Sequence, residues 1–488
     1  MSASSIHPSV PSSPAARRGR QLPLPQHLVA LVICTTLLGG CASISPDGGF
    51  STLQQTTRNR IGKDLLWART DAQQLRIDQQ VAALMAQPLS VDGAVQLALL
   101  NNPGLQAAFH ELGIVDADRV QASRLPNPGF SIGRLRRGSE VEIDSSLHFN
   151  LMRLLTLPLT AQMEARRVEQ TQALVAMRVL ALAADTRKAY FHALAAEETT
   201  RYMRQVKQAA DASAELARRM EQVGNFNKLQ RAREQVFSAD ATLRLARAEQ
   251  QQRSTRERLT RLMGAWGAQT QFSLPSRLPD LPKDALDLPD VESVALAQRL
   301  DVQGAKLAAE QTARNLGLTR TTRFINVLEL GLMQSRSNEA PTQRGWELSV
   351  ELPLFDWGGA RVARAESVYM QAVHSAAETA VNARSEVREA YTAYRSAYDI
   401  ARFQRDEVVP LHQRIAEENL LRYNGMLIGV FELLADTRTQ IASVNAAIEA
   451  LRDFWLAQAD LDMALIGKPN LSAPPSASMA PEAPGGGH

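Results

Sequence analysis

Cysteine is almost missing from this chain: Cys34 and Cys41 are the two in 488 residues, and both lie near the start. Beyond them no disulfide framework and no thiolate metal site can be built. Aromatic residues make up 5% while hydrophobic residues reach 45%, so Ala, Leu and Val carry the apolar content. That composition belongs to long, closely packed helices and argues against a β-sandwich. An excess of one charge is lacking too. Lys plus Arg number 54 against 51 Asp plus Glu, and the first 41 residues hold Arg17, Arg18 and Arg20 with no acid. The remainder is neutral, which excludes the strong basic field of a dedicated nucleic-acid binder. After Cys41 no apolar run reaches the ~18 residues of a membrane-spanning helix, so any spanning part has to be a β-barrel. The eight histidines are scattered, and neither a zincin HExxH nor a P-loop pattern occurs. The expectation is no enzyme, no cofactor and no resident metal.

The three arginines precede the apolar run Leu28–Leu38, which ends in Leu38-Gly39-Gly40-Cys41. About a dozen apolar residues are too few to span a bilayer, so the segment reads as a cleaved secretory signal. The small residues before Cys41 resemble a bacterial lipobox: they fit the narrow cleft of a lipoprotein signal peptidase, and the Cys41 thiol accepts the lipid. Cys41 then becomes the lipidated, palmitate-bearing first residue. The other reading is an ordinary secretory signal with an incidental cysteine. Residue 42 is Ala, not the Asp that commonly retains such lipoproteins in the inner membrane, so the outer membrane is the expected destination. The stretch ahead of Arg17 is longer than such signals carry, which points to a translation start downstream of Met1.

The chain lines up with itself. Leu97 to Ala108 matches Val294 to Ala305 at an offset of 197 positions. Leu157-Pro158-Leu159 answers Leu352-Pro353-Leu354, Ala189-Tyr190 answers Ala390-Tyr391, and Gly224 answers Gly425. Landmarks kept in one order point to a duplication. Each half reads as helix, β-rich segment, very long helix, sharp turn, helix. From Leu159 to Gln222 there is neither proline nor glycine, which allows a helix of ~95 Å. Apolar residues at 3/4 spacing mark coiled-coil seams: Tyr202, Val206, Ala209, Leu216 and Met220; then Leu229, Ala232, Val236, Ala239, Leu243 and Ala246; and Ile441, Val444, Ile448 and Leu451.

The β-rich segments alternate with period two. Ile143, Leu147, Phe149 and Leu151 oppose Glu142, Asp144, His148 and Asn150; Leu328, Leu330 and Leu332 oppose Glu329 and Gly331; Trp346, Leu348, Val350 and Leu352 oppose Glu347, Ser349 and Glu351. This predicts four strands, at Phe130–Arg136, Val141–Met152, Ile325–Gln334 and Gly345–Leu354. Soluble half-buried hairpins and transmembrane strands share this alternation, and the lipid-modified terminus tilts the choice to the membrane. Four strands cannot close a barrel, since the smallest has about eight, so oligomerisation is required.

The predicted layout is residues 1–41 signal with lipobox, 42–85 N-terminal extension, 86–283 first repeat with strands in 128–154 and a tip near 224, 284–468 second repeat with strands in 325–354 and a tip near 425, and 469–488 disordered tail. Ala98 to Leu105, the run Pro353-Leu354-Phe355-Asp356-Trp357-Gly358-Gly359-Ala360-Arg361, and Arg422 to Leu427 with Leu433 to Asp436 resemble the TolC-like outer-membrane efflux factors over nearly the whole mature chain. Two departures are Leu300, where such proteins often carry a second proline, and the absence in the first half of a turn like Phe355–Gly359. The resemblance implies a mainly α fold with a β-barrel part: duplicated coiled-coil hairpins forming a periplasmic α-barrel, and four strands per protomer closing a twelve-stranded barrel in a homotrimer. It further implies a passive export duct receiving cargo from an inner-membrane pump through a periplasmic adaptor.

On that reading Glu142, Asp144, His148, Glu329, Glu347 and Glu351 face the lumen, where carboxylate rings favour cations, with heavy-metal ions such as copper or cationic drugs as cargo. Gly224, Asn225, Lys228, Gly425, Met426 and Gly429 form the periplasmic tips that meet the adaptor, the glycines allowing positive φ. Glu432 and Asp436 are the candidate constriction. The reading from another class is a lipid-anchored periplasmic coiled-coil scaffold or adaptor without a pore.

Overall fold

The computed structural model describes residues 44–324, 327–351 and 354–471. The signal, Cys41, Pro353 and nearly all of the 469–488 tail lie outside the described residues. Two helices form in the N-terminal extension, α1 (Phe50–Ile61) and α2 (Asp71–Met85). Thr70 and Gln73 cap α2 reciprocally. Phe50, Leu53, Leu65 and Trp67 bury themselves against Phe109 and Leu112, so this segment belongs to the core of the first repeat.

Each repeat opens with a broken helix pair. In the first, α3 (Val91–Asn101) gives way to α4 (Pro103–Ala122). Asn102 caps α4 by accepting from the Leu105 amide at 3.1 Å, and Pro103 occupies the first turn, where no donor is lost. The second pair, α7 (Val291–Gln298) and α8 (Leu300–Thr322), breaks at the matching place although Leu300 replaces the proline. A tyrosine on the following long helix ties down the chain entering each pair. Tyr190 donates to the Leu89 carbonyl at 2.9 Å, while the Tyr394 hydroxyl accepts from the Leu286 amide at 2.8 Å.

The strands are β1 (Gly129–Arg137), β2 (Glu140–Asn150), β3 (Leu328–Ser337) and β4 (Gln343–Val350), forming one antiparallel sheet in the order β1-β2-β3-β4. The hairpin of each repeat thus lies beside the other through β2 and β3. Strand β2 ends before the predicted Met152 because the Asn150 side chain accepts from the Arg153 amide at 2.7 Å and starts α5 (Leu151–Gln222). This helix begins ahead of the proline-free stretch and carries Pro158 inside it. Its 72 residues extend ~108 Å.

Beyond the first tip, Asn227 and Gln230 form a capping box that starts α6 (Lys228–Met263). The second long helix is not continuous: α9 (Gly359–Phe403) passes through a π-helical turn, Gln404–Val408, into α10 (Val409–Asn424). Pro410 explains the widening, since its ring collides with the carbonyl one turn back and offers no N–H. Helix α11 (Val430–Ile466) closes the second repeat. Among the described residues no helix is long and apolar enough to cross a membrane.

One seam differs from its expectation. Leu229, Val236 and Leu243 are 61%, 68% and 58% exposed, and Ala232, Ala239 and Ala246 are exposed with them. The intramolecular face of α6 instead uses Phe237, Ala241, Leu245 and Ala248, packed on Met203, Val206 and Ala210 of α5. Spacing identifies residues that share a stripe, not the surface that covers it. In α5 the stripe is split, with Val206 buried and Ala209 and Leu216 exposed, whereas Ile441 and Ile448 of α11 are buried as expected.

Candidate functional site

The strand register sorts the sheet into two chemically distinct faces. Asp144 stands opposite Gly133 and Ser335, His148 opposite Gly129 and Gly331, Glu329 opposite Asn150 and Ser349, and Glu347 opposite Gly331. Glu142 pairs with Leu135 and Ser337, and Glu351 continues the register past β4, its amide donating to the Val327 carbonyl at 3.3 Å. All six sequence-predicted residues therefore share one face. His148 and Glu347 flank Gly331, where an added Cβ would stand 3.1 Å from His148 Nδ1. The other four are spread over separate rows. Serines hold the face in place: Ser335 donates to Glu142 at 2.6 Å, and Ser131, Ser146 and His148 Nε2 form a chain of contacts at 2.6 and 2.7 Å. The opposite face presents Phe130, Leu147, Leu330, Leu332, Trp346 and Leu348. Strands β1 and β4 are free edges among the described residues.

Gly129-Phe130-Ser131-Ile132-Gly133 has the spacing of a nucleophile elbow. It lies wholly inside β1, whereas the elbow requires a sharp strand-to-helix turn that exposes the serine. Ser131 is a strand residue bonded across to Ser146.

At the helical tips Gly224 adopts φ 81°, as a reversal requires, and Asn225 and Lys228 are exposed around it. The second tip is built differently. Gly425 has φ −80° and Gly429 φ −82°, and Met426 takes the left-handed conformation at φ 59°. Glycine's freedom is thus not what turns the chain there. Met426 is also 93% exposed, so an apolar side chain is held in a strained turn facing water. Glu432 and Asp436 belong to the first turns of α11, and their side chains lie outside the described set.

One contact between the two hairpins, about two turns above their tips, has little signal in the sequence. Glu234 of α6 is buried, accepts from Ser213 at 2.9 Å and pairs with Arg438 of α11 at 3.2 Å. The Arg438 guanidinium also lies 4.4 Å over the Phe237 ring. The only sequence signal is an acid inside an otherwise small and apolar helix face. Farther from the tips, His192 borders a groove of about 420 Å³ with Arg244, Arg247 and Arg452. Burial first, then the charges of Arg452, Arg258 and Lys188, hold its imidazole down at about 4. Buried Lys188 pairs with Asp460 at 2.8 Å, joining α5 to α11. No cluster of His, Cys, Asp or Glu among the described residues could hold a metal ion.

No family model matches the chain. Among curated proteins it is similar to the cobalt-zinc-cadmium resistance protein CzcC of Cupriavidus metallidurans, 26% identical over 287 residues, 56% of this chain. The match spans 64% of that relative's length, less than two thirds. Among solved structures the CmeC outer-membrane channel of Campylobacter jejuni aligns with a TM-score of 0.67 at 17% identity, covering 84% of this chain and 91% of CmeC. The open-state MtrE outer-membrane channel of Neisseria gonorrhoeae gives 0.67 at 19%, covering 77% and 89%. CusC, whose structures are described in terms of transmembrane channel formation, gives 0.64 at 18%, covering 78% and 92%. Long helical hairpins duplicated around a shared four-stranded sheet, together with these alignments, give the chain the fold of the TolC-like outer-membrane efflux factors that its sequence resembles.

Proposed function

We propose that this chain is one protomer of a homotrimeric outer-membrane export duct, lipid-anchored at Cys41, and the passive last stage of a tripartite efflux system. The observation that carries the reading is the open sheet. One face is apolar and bare, the other is polar, and both edges are unpaired, so the sheet is incomplete until copies join β4 to β1 around a lumen. Helices α5 and α6 then run through the periplasm, and the exposed stripe Leu229, Val236 and Leu243 is covered by the neighbouring copy.

The tips at Gly224, Asn225 and Lys228 and at Gly425, Met426 and Gly429 meet a periplasmic adaptor. An inner-membrane pump supplies the energy, so the duct needs no reaction and no cofactor. Glu142, Asp144, His148, Glu329, Glu347 and Glu351 line the lumen, and their carboxylates favour cations. Likeness to a cobalt-zinc-cadmium resistance protein supports heavy-metal cations as cargo, with cationic drugs as the other cation class. Glu432 and Asp436 form the constriction.

The test is conductance of the detergent-purified protein in planar bilayers, with its mass measured by light scattering. Discrete channels from a trimer are expected, and Leu330→Asp or Leu348→Asp abolishes membrane assembly. A non-conducting monomer or dimer would replace the duct with a lipid-anchored scaffold.

A further inference from the structure

At the end of the sheet away from the helices, the apolar face is capped by arginines. Moving away from the helices, the row Phe130–Leu147–Leu332–Trp346 is followed by Ile132–Ser145–Gln334–Arg344 and then by Arg134–Ile143–Arg336. Successive rows lie about 7 Å apart along the strands. Arg134, Arg336 and Arg344 are exposed and none faces an acid on this side of the sheet; the Arg336 guanidinium donates to the Gln334 side-chain oxygen at 2.6 and 3.0 Å. Acids occur at the same end of the sheet but on the other face, where Ser335 and Ser337 hold Glu142 and Glu140. At this end the acids Glu140 and Glu142 are therefore confined to the polar face, which also carries Arg137, and the apolar face carries no acid among the described residues. The carboxylates stand on the polar side, while guanidinium groups without an acidic partner stand on the apolar side just beyond the row that carries Phe130 and Trp346.

We propose that Arg134, Arg336 and Arg344 form a binding site for the phosphate groups of a phosphorylated glycolipid in the outer leaflet of the membrane. This rests on the barrel reading above. Aromatic side chains on a barrel mark the level where hydrocarbon meets headgroups, and Phe130 and Trp346 set that level here. The hairpin ends 137–140 and 337–343 lie at the far end of the strands from the helices, on the outer side of the membrane. A guanidinium on the lipid face is tolerated only near the interface, where its planar fork matches phosphate in a bidentate contact. Arg134 and Arg336 flank Ile143 on neighbouring strands and Arg344 stands one row below, a spread suited to a headgroup with more than one phosphate. Three copies repeat the cluster around the rim.

The experiment uses the full-length protein extracted as assembled from the outer membrane. Wild type, the triple variant Arg134→Gln, Arg336→Gln, Arg344→Gln, and Arg137→Gln on the opposite face of β1 are compared. Native mass spectrometry counts diphosphorylated lipid A per assembly, and thermal melting follows addition of lipid A, dephosphorylated lipid A or inorganic phosphate. The triple variant removes three charge-assisted contacts and is expected to retain at least about tenfold less glycolipid, the loss that a single such contact would give. It should also lose the melting shift that lipid A gives wild type, whereas Arg137→Gln behaves as wild type. A corresponding Arg→Lys variant keeps part of the binding. Equal retention by wild type and the triple variant, an equal shift from the dephosphorylated lipid, or an equal shift from inorganic phosphate would overturn the site. Conductance separates the two readings: channels with unaltered glycolipid binding in the triple variant sink only this inference, and no channel from wild type sinks the duct as well.

Discussion

Replacing Arg438 with Ala removes the cation that bridges the two helical hairpins close to their tips. Glu234 is 2% exposed at its side chain and Arg438 is 40% exposed, so only the carboxylate is fully withdrawn from water. Removing one partner of a fully buried pair costs about 3–5 kcal/mol, and an exposed pair is worth about 0–1 kcal/mol. A pair with one buried member falls between, at about 2 kcal/mol, including the contact of the guanidinium with the Phe237 ring. Ser213 still donates to Glu234 in the variant, which limits the loss. At 1.4 kcal/mol per decade, the loosening shifts the balance between joined and separated tips by roughly thirtyfold. The assay is the closed fraction of single channels in planar bilayers, paired with amide exchange on α6 and α11. Faster exchange in the first turns of both helices and a larger open fraction are expected. Glu234→Gln combined with Arg438→Met removes both charges and should recover most of the loss, because the penalty lies mainly in the stranded carboxylate. If Arg438→Ala leaves exchange and gating unchanged, or if the double variant is simply additive, the pair does not join the hairpins.

Acid should destabilise the helical part through His192. The folded-state value of about 4 lies below the unfolded value of about 6.5, so the unfolded chain takes up the proton first. Stability is full above pH ~6.5 and falls by up to about 3 kcal/mol as the pH drops towards 4; melting temperature against pH checks this, and His192→Gln should flatten that window. Gly264 has φ 63°, and an added Cβ would stand 2.6 Å from the Asn101 carbonyl oxygen. Gly264→Ala is therefore expected to lower stability by about 3 kcal/mol, read by thermal unfolding, with Gly304→Ala in open space as the control. Met426→Gly relieves a left-handed residue and should stabilise the tip by about 1 kcal/mol. If Met426 is the apolar contact for the adaptor, the same change weakens adaptor binding, measured with purified partner.

The parts of the fold that were legible in the sequence are those that local chemistry dictates. Asn101-Asn102-Pro103 breaks a helix by itself, and the structure gives the asparagines a second task. Asn101 and Asn102 donate to the Gly264 and Leu262 carbonyls at the end of α6, at 2.9 Å each. Period-two alternation gave the two faces of the sheet because side-chain direction in a strand is fixed by parity. What stayed hidden depends on partners distant in sequence. The Glu234–Arg438 contact spans 204 positions. The stripe of α6 looked like an internal seam because periodicity carries no address. Pro158 lies just ahead of the proline-free stretch, yet the Asn150 cap starts the helix before it. The helices of the 42–85 segment owe their stability to packing on the first repeat rather than to a pattern of their own.

On the proposed duct reading, the polar face sets the number of copies. Two copies joined edge to edge would close eight strands, and a barrel of that size has an interior just wide enough for its own side chains. Glu142, Asp144 and Glu329 would then be buried together as like charges, with Ser335 donating to Glu142 but no cation shown against them among the described residues, an arrangement whose desolvation cost is prohibitive. Diameter grows with strand number, so three copies are the smallest ring that leaves these carboxylates hydrated. The apolar face still fits the outside of such a ring, and β1 and β4 are both consumed. Light scattering should accordingly give three chains per detergent-free assembly mass. A stable, conducting dimer would refute the assignment of the carboxylate face to the lumen.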